Sequence, residues 1–190
     1  TGTVWQLPPD IGAEPYSFVV SPDGTQVAWA TPAGHNIGGG GKRGHQVEVV
    51  NLQTGALQTF TNGLLPTEYG FDFHELELIG WSEQGLYGRT ETPNTGDIPQ
   101  DRQVLWRLDT TDPHATAVEV AQLPQLWRLH AATDQLAYWD ETTGTLKLRD
   151  LRTGTEQTLD RATPGYAPPR GPAFNFSPDG STFCLLYTSD

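Results

Sequence analysis

The strongest constraint on the fold is a phrase that recurs along the chain. Val47-Glu48-Val49-Val50-Asn51-Leu52-Gln53-Thr54-Gly55 returns as Leu146-Lys147-Leu148-Arg149-Asp150-Leu151-Arg152-Thr153-Gly154, and more loosely as Val104 to Asp112. Each copy is an alternating strand that ends in a polar turn. A second phrase sits upstream of each first one. Tyr16 to Trp29 reads as a strand, a Ser21-Pro22-Asp23-Gly24 turn and another strand; Ala173 to Phe183 repeats it through Ser177-Pro178-Asp179-Gly180. Proline presets φ at the first turn position, and glycine supplies the positive φ a tight turn needs. Weaker copies turn at Ser82-Glu83-Gln84-Gly85 and near Thr133-Asp134. Repetition on this scale predicts stacked like units rather than one irregular core.

The strand after the turn starts at Val27, Leu86, Leu136 and Phe183, spacings of 59, 50 and 47 residues. Within each step the order is constant: strand a, the Pro-Asp-Gly-type turn, strand b, a variable loop, strand c, a Thr-Gly turn, strand d. Four short antiparallel strands every 40–60 residues or so predict an all-β chain of β-propeller blades. Complete blades are expected at 11–61, 69–122 and 125–160. Thr1-Gly2 aligns with Thr54-Gly55 and Thr153-Gly154, which makes 1–8 strand d of a preceding blade, while 173–190 supplies strands a and b of a further one. The expected whole is a piece of a ring of roughly six to eight blades.

The chain has 190 residues, with 11 basic and 23 acidic side chains and a formal net charge of −12. That balance argues against nucleic acid or an anionic membrane as the main partner. No apolar run approaches the roughly 18 residues of a membrane helix. The single cysteine rules out an internal disulfide framework and a cysteine-based zinc site. No cofactor or metal is expected: in Asp72-Phe73-His74-Glu75 a strand puts Glu75 on the face opposite Asp72 and His74. Catalysis finds no support either, since there is no Gly-x-Ser-x-Gly elbow and no nucleophile with a recognisable base beside it.

Ser-Pro-Asp-Gly, then an apolar strand, then Asp/Asn-Leu-x-Thr-Gly resembles the WD40-like (PD40) repeat of TolB-type propellers, over nearly the whole chain. The resemblance implies a β-propeller scaffold, periplasmic or extracellular, that binds a protein or peptide without catalysis. Similar propellers cap serine peptidases of the prolyl oligopeptidase type, so the alternative is the propeller of such an enzyme, with its catalytic domain outside this sequence. Cys184 to Asp190 resembles a translated sequencing adapter, which would make those seven residues foreign to the gene.

In a blade of this order the a–b and c–d turns share one face, and the b–c and d–a loops share the other. The second set is long and variable here, and binding residues favour such loops. The b–c loop of the first blade carries His35, Lys42 and Arg43 beside four consecutive glycines, and that of the second carries Asp97 and Asp101. Two d–a loops contribute Tyr69, and Tyr166 with Arg170 on a proline-stiffened segment. These eight residues are the expected binding set. His130 is placed in strand a, nearest a central channel. Trp5, Trp29, Trp81, Trp106, Trp127 and Trp139 fall in strands, where their rings are expected to fill the wedges between blades.

Overall fold

The computed structural model describes residues 18–33, 44–61, 76–91, 103–124, 127–140, 142–161 and 173–186. The first sheet contains β1 (Phe18–Val20), β2 (Gln26–Ala33), β3 (Gly44–Asn51) and β4 (Leu57–Phe60). The second contains β5 (Leu76–Ser82), β6 (Gly85–Glu91), β7 (Gln103–Leu108) and β8 (Val118–Leu123). The third contains β9 (Trp127–His130), β10 (Gln135–Asp140), β11 (Thr145–Asp150) and β12 (Glu156–Arg161). A two-stranded sheet, β13 (Ala173–Phe176) and β14 (Phe183–Leu186), follows. Within each sheet every strand pairs antiparallel with its chain neighbour, so each four-stranded sheet is a meander. Consecutive sheets pack face to face, as the blades of a β-propeller do.

The recurring phrases are turn devices. The Ser21 hydroxyl donates to Asp23 Oδ1 (2.7 Å) and accepts from the Gln26 N–H (2.9 Å), while Asp23 Oδ1 also accepts from the Thr25 N–H (3.0 Å). Ser177 and Asp179 repeat this arrangement with Thr182 and Ser181. Glycine closes both turns in the left-handed region, Gly24 at φ 71° and Gly180 at φ 69°. The other phrase works alike. The Asn51 side chain accepts from the N–H groups of Gln53 (2.9 Å) and Thr54 (3.0 Å), and the Asp150 side chain from those of Arg152 (2.8 Å) and Thr153 (3.1 Å). The leucine between is tied to the sheet's other turn: the Leu52 N–H donates to the Thr25 carbonyl and the Leu151 N–H to that of Asp134, each at 2.8 Å. That bond puts the a–b and c–d turns at one end of the blade, which becomes the turn end; the opposite end of the strands is the loop end.

The seam between the first two sheets is apolar. Ala28, Ala30, Val47, Val49 and Phe60 meet Leu76, Leu78, Trp81, Leu86, Trp106 and Leu108. Small residues on β2 leave room for the large rings opposite. The Trp106 ring covers its cross-strand partner Gly88, where a Cβ would come within 2.0 Å of it. A bulge at Leu78/Gly80 resets the alternation of β5. The bulge also brings Gly80 so close to the third sheet that a Cβ there would lie 2.4 Å from that of Ala131.

Trp81 and Trp106 are buried in the seam of the first two sheets, as expected of wedge-filling rings; Trp29 is buried beside Phe18 of its own sheet, and Trp127 and Trp139 are half-buried. Among the described residues no helix is long and apolar enough to cross a membrane. Residues 1–17, the segment 72–75 and the last residues, 187–190, lie outside the described residues.

Candidate binding cleft

The seam between the second and third sheets differs from the first in being tied at both ends by polar groups. At the turn end the third sheet has no Pro-Asp-Gly. Instead a 3-10 turn, Ala131–Thr133, is closed by Asp134 in the left-handed region at φ 54°. Asp134 is buried and accepts a hydrogen bond from the fully buried Tyr87 hydroxyl of β6 at 2.8 Å. Burial, then the bond to Asp134, pushes the Tyr87 phenol up to about 12. The Arg152 guanidinium stands 4.0 Å from the same carboxylate.

At the loop end the same seam opens into a cleft of about 290 Å³. Its second-sheet wall is Glu77, Arg89 and Gln103, which β5, β6 and β7 place near their loop-end termini. Glu77 and Arg89 are direct cross-strand partners, and Arg89 Nε donates to Glu77 Oε2 at 2.5 Å. Arg89 Nη1 reaches Gln103 Oε1 at 3.3 Å. The third-sheet wall is Trp127, whose indole N–H donates to the same Gln103 oxygen at 2.7 Å. The Arg89 guanidinium carbon lies 5.9 Å from the centre of the Trp127 ring, within cation–π range. Ile79 and Leu129 add apolar surface. Arg128 borders the cleft, but it alternates with Trp127 and Leu129 along β9: it is exposed, its Nη1 donates to the Trp127 carbonyl at 2.8 Å, and its guanidinium carbon lies 6.0 Å from the centre of the Phe174 ring of the last sheet. The cleft therefore sets the Trp127 ring and a little apolar surface beside the Glu77–Arg89 pair and Gln103, and is largely polar.

A larger open cleft, about 550 Å³, lies at the turn end between the first and second sheets, with Trp81, Asp23 and Asp109 in its lining. Asp23 and Asp109 are already engaged by their own turns. The Ser21 hydroxyl, then Thr25, holds Asp23 below the usual carboxylate range, and Thr111 does the same for Asp109. A third polar cluster braces the third sheet from within. Lys147 Nζ sits 2.9 Å from Asp140 Oδ2 and 3.1 Å from Glu156 Oε1, and the Tyr138 hydroxyl donates to Glu156. Lys147, with Thr143 adding, draws Asp140 down to about 2.

The expected binding residues His35, Lys42, Arg43, Tyr69, Asp97, Asp101, Tyr166 and Arg170 all lie outside the described residues. His130 is described, at the end of β9. It packs against the last sheet, with its ring 5.6 Å from that of Phe176 and Nε2 3.1 Å from the Pro178 carbonyl. Trp127, expected only to fill a wedge, forms a cleft wall as well. Glu77, Arg89, Gln103 and Arg128 were not singled out in the sequence; the available signal was a glutamate and an arginine at paired positions on strands that are otherwise largely apolar.

No family model matches the chain, and no curated protein matches it. Among solved structures, a crystal structure of the tricorn protease is similar with a TM-score of 0.36 and 11% identity, covering 77% of this chain and 22% of that one.

Proposed function

We propose that this propeller is a non-catalytic binding scaffold that docks a protein or peptide at the loop ends of its blades. The observation that carries the reading is the cleft between the second and third sheets, which opens at that end and is walled by the half-buried Trp127 ring. An aromatic ring held by a hydrogen bond from its own indole to Gln103 is a rigid contact surface, and rigid aromatic surfaces carry much of the energy of peptide docking. The blades on either side keep the cleft's walls in register. The test is selection of displayed random peptides on the immobilised chain, followed by titration of those enriched. Trp127→Ala is expected to weaken their binding by about tenfold or more. Failure to enrich any peptide, or enriched peptides that bind Trp127→Ala as well as the parent, would count against the reading.

A further inference from the structure

The turn-end cleft between the first and second sheets carries uncompensated charge. Asp23, Glu83 and Asp109 stand in its lining without a lysine or an arginine. Among the described residues no ion pair reaches any of the three. Arg107 acts on Asp109 but lies outside the lining. The hydrogen bonds that fold their turns hold Asp23 and Asp109 below the usual carboxylate range, so both stay ionised. The buried residues of the same cleft offer donors instead. Ser82 is 3% exposed and Trp81 8%, and both line it. In the first and last sheets the serine of this turn donates its hydroxyl proton to an aspartate two residues on, Ser21 to Asp23 and Ser177 to Asp179. In the second sheet that position is Gln84. The Ser82 hydroxyl accepts from the Gln84 N–H at 2.9 Å, but its own proton has no acceptor among the described residues. The Trp81 indole N–H has none either.

We propose that this cleft binds a small organic cation: an ammonium or guanidinium group on an apolar stem that also carries a carbonyl. The carbonyl takes the proton donors of Ser82 and Trp81, whose burial makes an unmet hydrogen bond costly. The stem lies along Trp81 and Pro22. The charged end stays with the exposed Asp23, Glu83 and Asp109, where like-signed carboxylates around an aromatic wall raise the local concentration of cations. These carboxylates do not form a group that could hold a metal ion, which favours a charge spread over an organic group. The cleft, at about 550 Å³, has room for a molecule of amino-acid size. It lies at the opposite end of the strands from the Trp127 cleft, so the proposal stands apart from the peptide-docking reading.

The test follows the indole resonances of the whole chain in a nitrogen-15 correlation spectrum. The probes are Nα-acetylarginine amide and Nα-acetylcitrulline amide, which differ in charge and hardly in shape. The arginine compound is expected to shift the Trp81 resonance saturably and to leave that of Trp127 in place, with the citrulline compound binding several times more weakly. Glu83 accepts no hydrogen bond from a described residue, so Glu83→Gln leaves the turn intact and should weaken the arginine compound by about two- to fivefold. Ser82→Ala should weaken both compounds. Equal binding of the two compounds overturns the proposal. So does a Trp81 resonance that answers the arginine compound no more than the same concentration of sodium chloride. Undiminished binding by Glu83→Gln, with the parent's near-ultraviolet circular dichroism, overturns it as well.

Discussion

The seam between the first and second sheets and the seam between the second and third solve the same packing problem with different chemistry. The first is described by apolar contacts, with alanines of β2 in one cluster with Trp81 and Trp106. The second has an apolar middle but is tied by Tyr87 to Asp134 at the turn end, and by Gln103 to Trp127 at the loop end. Apolar burial supplies adhesion and is indifferent to small sliding. A hydrogen bond between buried groups has a geometry, and losing it leaves an unsatisfied partner, so it fixes the register of one blade on the next. The seam that is fixed in this way is also the one that opens into the loop-end cleft. Alignment of the cleft's two walls is what the polar ties provide.

The largest effect separating the two seams is expected from Trp106→Ala. It removes the main ring of the apolar seam and should cost about 3–5 kcal/mol in urea unfolding, without changing any contact of the cleft. Tyr87→Phe comes next. It leaves the buried Asp134 carboxylate without its donor and should cost about 1–3 kcal/mol. The same variant has a pH signature. Because the folded-state Tyr87 phenol is pushed up to about 12, its contribution to stability is complete below the ordinary tyrosine value of about 10 and fades as the pH rises from there towards 12. Unfolding measured across that window should lose part of its alkaline slope in Tyr87→Phe; an unchanged slope would place the titration elsewhere.

Two chemically matched turns give a smaller contrast. At Gly24 a Cβ would meet nothing within 4 Å, whereas at Gly180 it would fall 2.5 Å from His130 Nδ1. Alanine at either site strains a left-handed residue by about 1 kcal/mol, and Gly180→Ala adds the displacement of the His130 ring. Thermal unfolding should rank Gly180→Ala below Gly24→Ala; the reverse order would deny the contact. The smallest effect is expected in acid. Asp140 is drawn down to about 2 by Lys147, so its stabilisation is present above the usual carboxylate value near about 4 and is lost as the pH falls towards 2. Asp140→Asn should flatten that limb of the acid unfolding curve slightly.

What could be read in the sequence is what is local. Ser21, Asp23 and Gly24 settle their turn within six residues, and so do Asn51 and Gly55, which is why the four-stranded order and the propeller class were legible. The seams were not, because they depend on distant partners and on register. Asp134 reads as an ordinary turn residue, yet it serves Tyr87 47 positions earlier. The bulge at Leu78/Gly80 shifts which residues of β5 face the third sheet, and no strict alternation anticipates it. The cleft is hidden from the sequence for a related reason. Glu77, Arg89 and Trp127 sit near strand ends, not in long loops, and look structural until the sheets are stacked.

Docking in the loop-end cleft of the polar-tied seam is what the proposed function requires. The six tryptophans make it measurable through their indole N–H resonances in a nitrogen-15 correlation spectrum. A peptide selected on the immobilised chain should shift the Trp127 indole resonance, which bonds Gln103 in the cleft, and leave that of Trp81, at the turn-end cleft, in place. A titration that moves the Trp81 resonance while Trp127 stays still would contradict the claim.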